Sequence, residues 1–170
     1  YCLNRFICNI KLYIVKFQKL FVLLKNCIFG FFDNSYQRVF IEWAFMKSLK
    51  ERGVKIAIVT SSSDSKMANA YRAHPELLTM TDCIVTADRV THSKPHPECF
   101  LLGAEMLGVE KDNCIVFEDS FHGIEAGNRA GMKVIGLATT NSAEAIADKC
   151  ALVIPDFTDF TFEKMKGVLQ

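Results

Sequence analysis

The chain has few of the residues that break structure and almost no excess of charge. Only 4 of its 170 residues are Pro, the first being Pro75, and of 9 Gly only Gly30 precedes Gly53. This leaves no stretch that reads as a linker or low-complexity segment, and no internal repeat is visible. A chain of this length buries roughly 70% of its unfolded surface in one core without needing a metal or disulfide staple. Lys and Arg number 20 against 19 Asp and Glu. That balance excludes a field strong enough to gather nucleic acid or an anionic membrane. Lys16, Lys19 and Lys25 interrupt the apolar N-terminal stretch short of the ~18 uncharged residues a transmembrane helix needs. No small-residue cleavage pattern follows it, so a signal peptide fits no better and a cytoplasmic chain is expected. The 7 cysteines are odd in number and never spaced C-x-x-C. Neither a disulfide framework nor a zinc site is indicated, and core filling is the expected use.

What is present is unevenly placed. Residues 1–45 carry six basic side chains (Arg5, Lys11, Lys16, Lys19, Lys25, Arg38) and two acids (Asp33, Glu42), whereas the remaining 125 residues carry 14 and 17. The first segment also holds eight of the 14 Phe, with one Ala and no Pro. We therefore expect an atypical basic apolar segment over 1–45 and a domain over 46–170. Two incompatible readings of the first segment stay open. Phe6, Ile10, Tyr13, Phe17, Leu20, Leu24, Cys27 and Phe31 recur at spacings of three and four, as on an amphipathic helix. Alternatively, Cys27–Phe32 is a buried strand. An out-of-frame reading of AT-rich DNA gives a composition of this kind too.

From Met46 onward, apolar runs of strand length alternate with amphipathic stretches, as in an α/β parallel sheet covered by helices on both faces. Strands are expected at 55–59, 83–85, 114–117, 134–137 and 152–154. Helices are expected to end at 52 and to span 65–72, 97–107, 123–130, 143–148 and 162–169. Gly53, Gly108 and Gly131 stand where a helix closes through a left-handed residue.

Ligands of open parallel sheets bind at the carboxyl ends of the strands. Three polar clusters stand there. Thr60-Ser61-Ser62-Ser63 offers hydroxyls and helix-start N–H groups to a phosphate, or simply a serine cap for the helix that follows. Ser63-x-x-Lys66 matches an acyl-transferase pattern, but no S-D-N or K-T-G accompanies it. Ser93-Lys94-Pro95-His96-Pro97 holds a lysine in an extended loop, where its ammonium can meet a phosphate or carboxylate. His92 and His96 flank it at a spacing metal ligands can have, but no further ligands accompany them in sequence, and they read as loop histidines. Glu118-Asp119-Ser120 closes a buried strand with two acids, which need a cation there, Mg²⁺ being the natural one. Helix-start acids favoured by the macrodipole are the simpler alternative. Gly123, Gly127 and Gly131 lie four apart and suit close approach of a helix to the sheet.

The runs KIAIVTSSS, HSKPHPECF and IVFEDSFHGIEAGNRAGMKVIGL resemble motifs two, three and four of the haloacid dehalogenase-like hydrolase superfamily, in the subgroup of β-phosphoglucomutase and sugar-phosphate phosphatases. The resemblance covers residues 46–170. It implies a Rossmann-like fold and an Mg²⁺-dependent phosphatase or phosphomutase acting on a small phosphorylated metabolite. Thr60 and Lys94 would be phosphate ligands, with Lys94 also steadying the nucleophile, and Ser61 would add a backbone N–H. Asp119 with Glu118 would hold Mg²⁺, and Ser120 would support the acid loop.

The departure matters as much. In that family an N-terminal strand ends in Asp-x-Asp-Gly, whose first Asp attacks phosphorus and whose second is the acid and base. No Asp-x-Asp occurs in the 170 residues. Asp33 in Phe-Phe-Asp33-Asn-Ser35 is the candidate substitute for the nucleophile, with 36–52 as the crossover helix and no substrate-choosing cap domain before Met46. Ser35 would then stand at the acid/base position, where a hydroxyl cannot shuttle protons at neutral pH. Turnover is expected to be low or absent, and a non-catalytic phosphate- and Mg²⁺-binding or partner-binding module is the alternative. A sheet without its central first strand would expose apolar edges and invite self-association.

Overall fold

A computed structural model describes residues 12–15 and 34–169. Among them six strands form one parallel sheet: β1 (Leu12–Val15), β2 (Ile56–Val59), β3 (Cys83–Val85), β4 (Cys114–Glu118), β5 (Lys133–Leu137) and β6 (Leu152–Ile154). Their spatial order is β3-β2-β1-β4-β5-β6. Helix α1 (Asn34–Glu51) leads into β2, followed by α2 (Asp64–Ala73) and the single turn α3 (Leu77–Met80). Further on come α4 (Glu98–Leu107), α5 (Phe121–Arg129), the short α6 (Ala143–Ile146) and α7 (Phe162–Gly167).

The strands are apolar on both sides because helices cover both faces, and successive residues divide between two cores. Ala57, Val59, Cys114 and Val116 pack with Phe100 of α4 and Ile124 of α5. Ile56, Ile115 and Phe117 face the other way, against Met46 and Leu49 of α1. On that second face Phe45, Phe117, Phe157 and Phe160 form a cluster in which every pair of ring centroids lies 5.0 to 6.4 Å apart. Each such ring contributes about 1.5–3 kcal/mol by leaving water, so the cluster ties the segment after β6 to α1 and β4.

The expected strands 83–85 and 152–154 have the observed bounds, and those at 55–59, 114–117 and 134–137 differ by one residue at one end. The helices agree within two residues, except that 143–148 ends in a 3-10 turn at Ala147–Lys149. Gly53, Gly108 and Gly131 have φ of 71°, 62° and 74°, the left-handed conformation their positions require.

The N-terminal segment differs from the first of its two readings. Leu12–Val15 is a strand, so the helical stripe through Tyr13 does not hold; Tyr13 instead stands in register with Ile56 of β2 and Ile115 of β4. Leu-Tyr-Ile-Val is rich in β-branched and aromatic residues, and a four-residue apolar run satisfies either periodicity until the sheet selects one. The expectation of a sheet lacking its central strand is likewise corrected, since β1 fills the place between β2 and β4. The Cys27–Phe32 run and Asp33 lie outside the described residues. Helix α1 occupies the crossover position proposed for 36–52 and passes without interruption through position 45.

Candidate functional site

Register locates the site. Val15 pairs with Ile58 on one side and with Phe117 on the other, which puts these three residues in one row across the sheet. Thr60 and Asp119 each follow that row by two residues, on strands separated only by β1 and hence about 10 Å apart. Both stand at the carboxyl edge of the sheet.

The Thr60 loop is closed by its own backbone. The Thr60 N–H donates to the Val85 carbonyl (2.9 Å) and its Oγ1 accepts from the Ser62 N–H (3.1 Å). Ser61 is exposed at the turn. Ser63 takes the N-cap position of α2 but makes no capping bond, its hydroxyl lying 2.9 Å from Ser65 Oγ. The Asp64 N–H donates instead to Asp88 Oδ2 at 2.7 Å, a carboxylate brought in from the 3-10 turn after β3. No sequence signal near Ser63 announced that partner.

Alternation along β4 directs Glu118 to the same face as Cys114 and Val116, beneath α4 and α5. There it meets Lys94, whose loop leads into α4. Lys94 Nζ donates to Glu118 Oε1 at 2.8 Å, with the two side chains 6% and 0% exposed. The ammonium also lies 4.4 Å from the centroid of the Phe100 ring. Glu118 Oε2 accepts from the N–H groups of Asp119 (3.0 Å) and Ser120 (3.1 Å) and from Ser120 Oγ (3.0 Å). Ser120 Oγ in turn accepts from the Gly123 N–H at 3.1 Å, which caps α5. Ser120 thereby supports the acid loop from both ends. A Cβ built on Gly123 would lie 2.0 Å from Glu118 Cδ, so only glycine lets α5 start over this carboxylate. Gly127 serves the approach to β5 in the same way, since a Cβ there would stand 2.7 Å from Val134 Cγ2.

Asp119 is buried, with Oδ2 accepting from Thr140 Oγ1 at 2.5 Å and its carbonyl accepting from Asn141 Nδ2 at 2.8 Å. Sequence reasoning did not single out Thr140 or Asn141. They follow β5 at the same sheet edge, where the strand-end rule that found the other clusters also applies.

The structure thus brings Lys94, Glu118, Asp119 and Ser120 into one bonded group, and puts Thr60 and Ser61 at the same edge two strands away. Two adjacent carboxylates backed by hydroxyls suit a hard cation that accepts oxygen ligands. Glu118 is the more committed of the two, with one oxygen on Lys94 and the other receiving three donors. Among the described residues no helix is long and apolar enough to cross a membrane.

A family model described as "Haloacid dehalogenase-like hydrolase" matches residues 41–137. A fructose-1-phosphate phosphatase of Escherichia coli (strain K12) is 44% identical over 77 residues, covering 45% of this chain and 41% of that protein. The chain spans about half or less of the length of the curated relatives it matches first. A family IA hydrolase of Entamoeba histolytica superposes with a TM-score of 0.73 at 18% identity, covering 94% of this chain and 99% of that one. A β-phosphoglucomutase of Clostridium difficile does so with a TM-score of 0.67 at 21% identity, covering 94% and 97%. On the family match and the fold together, the chain belongs to the haloacid dehalogenase-like hydrolases.

Proposed function

We propose that the chain is the phosphate- and Mg²⁺-binding part of a phosphatase or phosphomutase for a small phosphorylated metabolite of the sugar-phosphate class, with turnover limited by the missing Asp-x-Asp. The observation that carries this reading is the buried Lys94–Glu118 pair beside Asp119, at the edge where the Thr60 loop ends. The named activity of the fructose-1-phosphate phosphatase relative supports the substrate class.

In this reading Thr60 Oγ1 and the Ser61 N–H receive the phosphate oxygens, and Lys94 exchanges from Glu118 onto the incoming anion. Asp119 and Glu118 would hold Mg²⁺, which when bound would neutralise phosphate charge. A covalent route cannot run without its attacking group, so the arrangement binds better than it turns over. Binding without turnover follows from the same pocket if no other carboxylate attacks.

The test is a thermal-shift titration with inorganic phosphate and Mg²⁺. The unmutated chain is expected to gain melting temperature, and the Lys94→Met/Glu118→Gln double variant to gain none. Absence of a shift in the unmutated chain would sink the pocket. Hydrolysis of p-nitrophenyl phosphate is expected to be slow; rapid Mg²⁺-dependent turnover lost in Asp33→Asn would instead make Asp33 the nucleophile.

A further inference from the structure

A second group of ligand-bearing side chains sits on the outer side of the Lys94 loop. His92, His96 and Glu98 each offer one ligand atom, and these three atoms lie within 4.8 Å of one another. Glu98 Oε2 is 2.9 Å from His92 Nδ1 and 3.8 Å from His96 Nδ1. Ligands on a tetrahedral ion at about 2.0–2.1 Å are themselves about 3.3–3.5 Å apart, so these two distances bracket what such an ion needs. The two imidazole rings have their centroids 4.5 Å apart.

Much of the cluster is fixed before any ion arrives. Glu98 Oε1 accepts from the Thr91 N–H (2.7 Å) and Oε2 from the His92 N–H (2.9 Å), which holds the carboxylate in place. His96 stands between Pro95 and Pro97, whose rings restrict the backbone on either side. The Glu98 N–H donates to His96 Nδ1 at 3.3 Å, a long bond that a cation would replace. His92 and His96 side chains are 62% and 49% exposed, leaving an entry path, while Lys94 between them turns inward to Glu118. The start of a helix disfavours a cation through its dipole, but Glu98 puts a negative charge at that point.

We propose that His92, His96 and Glu98 form a binding site for a divalent transition-metal ion of the Zn²⁺ class, separate from the Asp119 site. Two imidazoles and one carboxylate select a borderline ion over Mg²⁺ or Ca²⁺, and three protein ligands leave a position for water. Sequence spacing offered only the histidine pair; Glu98 becomes the third ligand because the loop folds back on the first turn of α4. Bound metal would clasp that loop from outside while Glu118 holds Lys94 from within.

The site is tested on the full 170-residue chain by titration with Co²⁺ and then Zn²⁺, in excess Mg²⁺ to occupy the Asp119 group. One equivalent of Co²⁺ is expected, with visible d–d bands, no thiolate charge-transfer band, and displacement by Zn²⁺. His92→Ala and His96→Ala replace exposed side chains, so both variants are expected to keep the native circular dichroism while binding at least about tenfold more weakly. Lack of saturable binding, thiolate bands, or unchanged affinity in both variants would overturn the site. None of these readouts depends on phosphatase activity, so this site and the proposed function stand or fall separately.

Discussion

Replacing Lys94 by Met probes the energetic centre of the molecule. Met fills similar volume and keeps contact with the Phe100 ring, but it leaves Glu118, which is 0% exposed, without the cation 2.8 Å away. Breaking a buried ion pair from one side costs about 3–5 kcal/mol, because the remaining charge is uncompensated. The lost cation–π contact adds about 0.5–2 kcal/mol, partly offset by the new thioether packing. We expect a net loss near 4 kcal/mol. At about 2–4 °C per kcal/mol for a chain of this size, the melting temperature falls by roughly 8–16 °C. Adding Glu118→Gln removes the stranded charge and keeps the shape, so the double variant should recover about 2–3 kcal/mol. Urea unfolding followed by far-ultraviolet circular dichroism gives all the required free energies. A loss under about 1 kcal/mol for Lys94→Met is the value of an exposed pair and would refute the reasoning, as would a double variant no more stable than the single one.

Gly123→Ala puts a methyl group against the Glu118 carboxyl carbon, 2.0 Å from the built Cβ, and should cost about 3 kcal/mol in urea unfolding; Gly127→Ala crowds a Val134 methyl at 2.7 Å and otherwise meets Val116 at ordinary contact distance, and should cost about 1 kcal/mol. Glu98 is held down to about 2 by the Thr91 N–H, the His92 ring and the His92 N–H. A depressed carboxyl gives stability above its unfolded value, near 4.3, that is lost as pH falls through about 2. Glu98→Gln should therefore be less stable than the unmutated chain at neutral pH and converge with it at the acid end of a pH-dependent unfolding series. Burial pushes the Cys114 thiol up to about 12, with Asp112 and Glu110 adding to the effect, and Cys83 up to about 11, with Asp82 adding to it. Iodoacetamide at pH 8 should modify both at least roughly 100-fold more slowly in the folded chain than in urea, as read by mass spectrometry.

The parts of the fold legible in sequence are those where one residue type and one position decide the outcome. Lys55–Val59 and Cys114–Phe117 read as strands because helices on both faces make Ile56–Val59 and Cys114–Phe117 apolar throughout. The Glu118-Asp119 pair reads as functional because charge at the end of a buried strand requires a partner, and Lys94 because a lysine held in an extended loop can supply one. Two of the contacts missed depend on chain segments distant in sequence, Asp88 at the start of α2 and Thr140 on Asp119, and a third on the fold of a loop, which turns Glu98 back on Thr91 and His92. Leu12–Val15 was missed for another reason. Its four residues carry no period of their own, and the unpaired edges of β2 and β4 decide their conformation.

That strand divides the sheet into two blocks, β2 with β3 on one side and β4, β5 and β6 on the other. The Thr60 and Lys94 loops belong to the first block and the Glu118-Asp119 loop to the second. Lys94–Glu118 is therefore a rivet across a seam whose spacing is set by four N-terminal residues. Any change in the first segment that widens or shears the seam is transmitted to the distance between the Thr60–Lys94 side and the Glu118–Asp119 side, without altering a residue of either.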